Sequence, residues 1–126
     1  MSNRLRAWAP AGAWAALLFG LSALPELSAG ASIPYGDKVA HLVAYAIFGT
    51  LLAFGRGRTG RPIPHLLLLL IGALYALSDE WHQSFVPGRV PDVADWAADL
   101  LGLVTGYTVG ARRWSPRNPE RTEEDV

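Results

Sequence analysis

The chain has 126 residues, 51% of them apolar, and its 11 basic and 11 acidic side chains give a formal net charge of zero. That length allows one domain, and the balanced charge gives no reason to expect a nucleic-acid partner. Cysteine is absent, which excludes disulfides and thiolate metal ligands.

Four apolar stretches are legible, and charge is nearly confined to the segments between them. The first, Ala7–Leu24, follows Arg4 and Arg6. With Ala29-Gly30-Ala31 downstream it has the outline of a secretory signal and its A-x-A cleavage site. Pro25 and Glu26 end the apolar run before that site, however, and Trp8 and Trp14 suit an interface anchor in a retained helix. Residues 25–36, rich in Ser, Ala, Gly and Pro, read as an outer loop.

The second stretch is Val39–Phe54. Asp37, His41 and Tyr45 are four residues apart and stack along one helix face. A histidine one turn inside an apolar helix needs partners for both ring nitrogens, and Asp37 is placed to accept from one of them or to cap the helix. Gly55-Arg56-Gly57-Arg58-Thr59-Gly60 fits the G-x-G-x-x-G dinucleotide fingerprint in letters alone. That motif needs a strand before it and a helix at once after it. Here an apolar helix precedes it and Pro62 and Pro64 follow, so residues 55–64 read as a tight, basic inner loop.

The third stretch, Leu66–Ser78, runs into Asp79-Glu80-Trp81-His82-Gln83. Asp79, His82 and Gln83 share a face, with Glu80 pointing elsewhere. Carboxylates at a helix C-terminus face the negative end of its dipole, a poor place for decoration. Residues 85–89 form a Pro-Gly turn presenting Arg89, whose fork suits a carboxylate or phosphate. The fourth stretch, Ala94–Ala111, opens with Asp95 and Asp99 and continues as Gly102, Gly106 and Gly110 on nearly the same face. Such glycine spacing lets a helix approach closely, and a second copy of the chain could use the same face of Gly102 and Gly106, which would make a homodimer. Residues 115–126, with two prolines and six charged residues, read as a disordered tail.

Nine of the eleven Lys and Arg residues precede the first stretch, lie between the second and third, or follow the fourth. Cytoplasmic loops carry such an excess. The expectation is therefore an all-α bundle of four transmembrane helices in a single domain over residues 1–126, with both termini cytoplasmic. The third and fourth stretches are short against the roughly 20 residues a span needs. They reach it only if their polar outer ends lie inside the bundle; a small soluble helical domain is the alternative. Asp37, His41, Tyr45, Asp79, Glu80, Gln83, Arg89, Asp95 and Asp99 would then surround one outward-facing pocket. His41, Asp79, Glu80 and Asp95 are the acid/base candidates, because burial and like charges drive such pKa values apart. No H-E-x-x-H or comparable spacing is present, so neither a metal nor a cofactor is expected.

The blocks Asp37-Lys38-x-x-His41-x-x-x-Tyr45, Asp79-Glu80-x-x-Gln83-x-Phe85-x-Pro87-Gly88-Arg89 and Asp95-x-x-x-Asp99-x-x-Gly102-x-x-x-Gly106 occur in that order. Together they resemble the VanZ-like membrane proteins over residues 37–106. The resemblance implies a small helical integral membrane protein of the cell envelope, in a family whose best-known member is associated with low-level teicoplanin resistance. The family often has Asn where this chain has Asp99, so that resistance is not carried over. Three functions remain open: binding a membrane lipid, a lipid-linked glycan or an amphiphilic ligand; a membrane-embedded hydrolase or transferase; and a structural subunit whose polar residues lock helices together.

Overall fold

The computed structural model describes residues 2–23, 36–88 and 92–114. Among them are four helices and no strand: α1 (Asn3–Ser22), α2 (Gly36–Thr59), α3 (His65–Gln83) and α4 (Val93–Arg113). Residues 25–35 of the expected outer loop, Arg89 and the C-terminal tail lie outside the described residues, and Gly36, read as the last loop residue, begins α2.

The spine of the bundle is the parallel pair α2 and α4. It forms because Gly102, Gly106 and Gly110 lay bare one side of α4, and the backbone of α2 occupies that space. A Cβ on Gly110 would stand 2.9 Å from the Ala53 Cβ, and one on Gly102 would stand 3.0 Å from the Ala46 nitrogen. Gly49 answers from α2, where a Cβ would meet the Tyr107 nitrogen at 2.8 Å. This approach places the single Thr50 hydroxyl proton between two acceptors, Ala46 O within its own helix (2.8 Å) and Gly106 O across the interface (3.1 Å). The glycine face read as available to a second copy is thus consumed inside the chain, which removes that route to a homodimer.

α1 and α3 run against this pair in the opposite direction. Trp14 Nε1 donates to Ala44 O at 2.9 Å, and the Tyr75 hydroxyl donates to Ala15 O, so α1 is tied to both α2 and α3. Two expectations about boundaries are corrected. α2 continues through Thr59, so the connection to α3 is residues 60–64. Gly55 and Gly57 are not turn residues; they are helical contact points where the Trp8 ring and Trp114 fill the space of a missing side chain. Only Gly60, at φ +64°, takes the left-handed conformation that ends the helix. The dinucleotide reading fails for the same reason, since a helix occupies the place of the required strand.

Much of the surface is apolar, and the apolar core around Tyr45, Phe48, Leu52, Leu103 and Tyr107 gives way to buried polar residues at one end. Leu66, Leu70, Leu74, Leu77 and Trp81 point outward from α3, Val39, Val43 and Ile47 from α2, and Leu101, Val104 and Val109 from α4. Asp79, Glu80, Gln83, Asp95 and Asp99 are buried. Apolar patches this extensive are uncommon on a surface that faces water alone. By length and composition α2 is the described helix apolar enough to cross a membrane. The other three, of 19 to 21 residues, fall short of it in apolar composition. In α3 and α4 the polar residues are divided: Asp79, Glu80, Gln83, Asp95 and Asp99 face inward, while His65, Ser78, Arg112 and Arg113 are exposed.

Candidate functional site

The acidic end of the bundle is formed by the first turns of α2 and α4 and the last turns of α1 and α3. Asp92 caps α4, its Oδ1 accepting from the Ala94 amide at 2.9 Å. That amide and the Lys38 ammonium hold the Asp92 carboxyl below the usual carboxylate range. Lys38 reaches up from the start of α2, with Nζ 3.1 Å from Asp92 Oδ2, 3.4 Å from Asp95 Oδ1 and 3.6 Å from Asp37 Oδ2. One turn deeper, His41 Nδ1 lies 2.7 Å from Asp99 Oδ1. A carboxylate there accepts, so Nδ1 carries the proton and Nε2 faces Asp95 Oδ2 at 3.9 Å. Another turn deeper, the buried Tyr45 hydroxyl donates to Asp79 Oδ2 at 3.1 Å.

Glu80 is buried beside His41 and Asp95, and its Oε2 accepts a long hydrogen bond from the Asp92 amide at 3.4 Å. Donor atoms of His41, Glu80 and Asp95 all lie within 4.8 Å of one another. Several buried carboxylate oxygens, Asp79 Oδ1, Glu80 Oε1 and Asp99 Oδ2, have no hydrogen-bond partner among the described residues. Buried acceptors are normally satisfied, so this cluster is not closed upon itself.

On the other side of His41, a cleft of about 200 Å³ opens between α1, α2 and α3. Leu18, Leu21, Ala40 and Ala44 form its apolar wall, and Ser22, His41, Tyr45, Asp79 and Gln83 its polar part. Ser22 Oγ donates to Phe19 O at 2.9 Å, which uses its single proton. It therefore accepts from His82 Nδ1 at 3.0 Å, while the His82 ring stacks on Phe19 with centroids 4.4 Å apart.

Of the nine residues expected around one pocket, the structure gathers His41, Tyr45, Asp79, Glu80, Gln83, Asp95 and Asp99, in two compartments that share His41. Asp37 is not among them. It sits in the first turn of α2, exposed and paired with Lys38, and His41 takes its carboxylate from α4 instead. Arg89 lies outside the described residues. Glu80 points away from the face of Asp79 and Gln83, as its spacing indicated, and that direction is toward α4; His82 fastens α3 to α1 through Ser22. Lys38, Asp92 and Ser22 were missed as members of the site. The signal for Lys38 was present: with Arg89 it is one of two cations in the segments of the chain that are otherwise acidic.

The donors and acceptors are unbalanced. Carboxylates from α3 and α4 surround one imidazole and one ammonium, an arrangement that attracts cations and hydroxyl or amine donors. No curated protein matches the chain, and no solved structure does. Residues 4–112 match the model of the VanZ/LLP1 family, nearly the whole chain and all four helices, and the protein belongs to that family.

Proposed function

We propose that the chain is a multi-pass membrane protein, with four spanning helices in one domain. Its termini lie in the cytoplasm, and its acidic end receives the polar headgroup of an envelope lipid, a lipid-linked glycan or an amphiphilic ligand of glycopeptide type. The observation that carries this reading is the cleft between α1, α2 and α3, which sets an apolar wall directly against Ser22, Tyr45, Asp79 and Gln83. A volume of about 200 Å³ is below the roughly 300–1,000 Å³ of drug-sized pockets. It suits one sugar ring or a short polar head whose acyl chains stay in lipid. The apolar exterior and the basic segments at the other end support the orientation. The unpartnered carboxylate oxygens argue against a purely structural role, in which buried polar groups would satisfy one another.

The headgroup assignment is tested by mass spectrometry of lipids that copurify with the protein. Wild type is expected to enrich one headgroup class over the bulk membrane, and Gln83→Leu to lose that enrichment while keeping its elution profile. A wild-type lipid profile equal to the bulk would refute it. The orientation has a separate test, because the natural chain has no cysteine. Asp37→Cys should react with an impermeant maleimide on intact cells, and Arg58→Cys only after permeabilisation. The opposite pattern would invert the topology.

A hydrolase or transferase is the second reading, favoured by the His41–Asp99 pair at 2.7 Å. An imidazole oriented by a carboxylate is a common general base. In that case a lipid-linked substrate is returned cleaved, and His41→Ala returns it intact.

A further inference from the structure

We propose that His41, Glu80 and Asp95 bind a first-row divalent metal cation, with Asp99 as the carboxylate that orients His41. Each ligand is held by one atom and offers another. His41 gives Nδ1 to Asp99 at 2.7 Å and presents Nε2. Asp95 gives Oδ1 to Lys38 at 3.4 Å and presents Oδ2. Glu80 gives Oε2 to the Asp92 amide at 3.4 Å. Its Oε1 is buried without a hydrogen-bond partner among the described residues, and the side chain is only 7% exposed.

The alternative is that His41 is simply an imidazolium paired with these acids. That alternative accounts for the Nδ1–Asp99 pair but leaves Nε2 without a hydrogen bond to Asp95: at 3.9 Å from Asp95 Oδ2 it is beyond the roughly 3.2 Å at which one closes. Two ligands each about 2.0–2.2 Å from one ion stand about 3–4 Å apart. The whole donor set, within 4.8 Å, needs carboxylate shifts on the order of 1 Å to reach that geometry.

The pair behind His41 points the same way. Metal-bound histidines donate their second nitrogen to a carboxylate, which fixes the tautomer and raises the basicity of the ligand nitrogen. Asp99, 0% exposed, stands in that position. One nitrogen and two oxygen donors suit ions such as Mn²⁺ or Zn²⁺ better than calcium, which takes oxygen ligands alone. No sequence motif announces the set, because each ligand comes from a different helix.

This site does not depend on the lipid reading, since it is measured with the metal alone. Full-length protein in detergent micelles, stripped with a chelator, is titrated with MnCl₂ and followed by electron paramagnetic resonance. The expected result is one saturable Mn²⁺ per chain, with electron spin echo modulation from an imidazole nitrogen. That modulation should vanish in His41→Ala, or in His41→Gln should the alanine variant fail to fold. Glu80→Gln should weaken binding at least about tenfold, and Asp99→Asn about 10–100-fold with the nitrogen signal retained. Folded wild type that binds no Mn²⁺ saturably, nitrogen modulation that survives the loss of His41, or Glu80→Gln binding equal to wild type would each overturn the proposal. Such a failure would leave the lipid enrichment experiment untouched.

Discussion

Gly106→Val should destabilise the protein by at least about 3 kcal/mol, the upper end of what overpacking costs, and is expected to leave little folded material at growth temperature. A Cβ on Gly106 would lie 2.6 Å from the Ala46 carbonyl carbon and 2.8 Å from its Cα, where carbon atoms normally stand about 3.5–4.0 Å apart. The obstacle is backbone, so no side-chain rotation relieves it. Only a translation of α2 away from α4 does, and that movement breaks the Thr50–Gly106 bond and pulls His41 from Asp99. The contrast is Gly20→Ala on α1, where a new Cβ meets nothing within 4 Å. There the lost glycine should raise stability by about 0.5–1 kcal/mol, since helix-interior glycine is the costlier residue. Thermal unfolding in detergent, read by circular dichroism with size-exclusion profiles, separates the two. If Gly106→Val melted within about 2 °C of wild type, less than 1 kcal/mol would be at stake, and the close α2–α4 contact would be wrong.

Tyr45→Phe is the second substitution with a large expected effect. Tyr45 is 1% exposed and its hydroxyl is the donor that Asp79 Oδ2 has, while Oδ1 already lacks one among the described residues. Removing the hydroxyl leaves a buried carboxylate with neither oxygen served. The loss is expected to be about 1–3 kcal/mol, the desolvation cost of the stranded acceptor. In an Asp79→Leu background the same change should cost much less, because both polar partners are then gone. A double-mutant cycle by chemical unfolding in mixed micelles measures this coupling, expected at about 1 kcal/mol or more. Additive losses would mean that the effect of the hydroxyl does not run through Asp79.

The helices were legible because four apolar stretches stand apart in the chain, but their ends were not. The Gly-Arg-Gly-Arg-Thr-Gly segment was read as a turn. Glycine serves equally to end a helix and to admit a neighbour, and only Gly60 does the former. Gly55 and Gly57 are helical because Trp8 and Trp114 from distant parts of the chain fill the space beside them. The polar ends of α3 and α4 were better read, since Asp79, Glu80, Gln83, Asp95 and Asp99 are helical and buried within the bundle.

The acidic end itself was visible from helical spacing, since residues four apart share a face whatever surrounds them. Pairing within it was not. Asp37 is the nearest carboxylate to His41 along the helix, yet it stays exposed on Lys38. Asp99 wins because a carboxylate inside the bundle has no water to turn to, and a charge-assisted bond there is worth more than the same bond at a wet helix end. Glu80 was read at the right angle but without its neighbour α4, because a helical wheel gives an angle and not the identity of what stands there.

The amino-acid sequence alone determined that there are four helices, that acids gather at one end, and which family the chain resembles. These follow from local periodicity and from residue order. Tertiary structure decided the glycine face of α4 for α2 rather than a second copy, gave His41 to Asp99, and brought His41, Glu80 and Asp95 within reach of one ion. Those outcomes depend on how closely two helix axes approach. That distance is set by side chains missing from one helix and backbone present on the other, which no single segment contains.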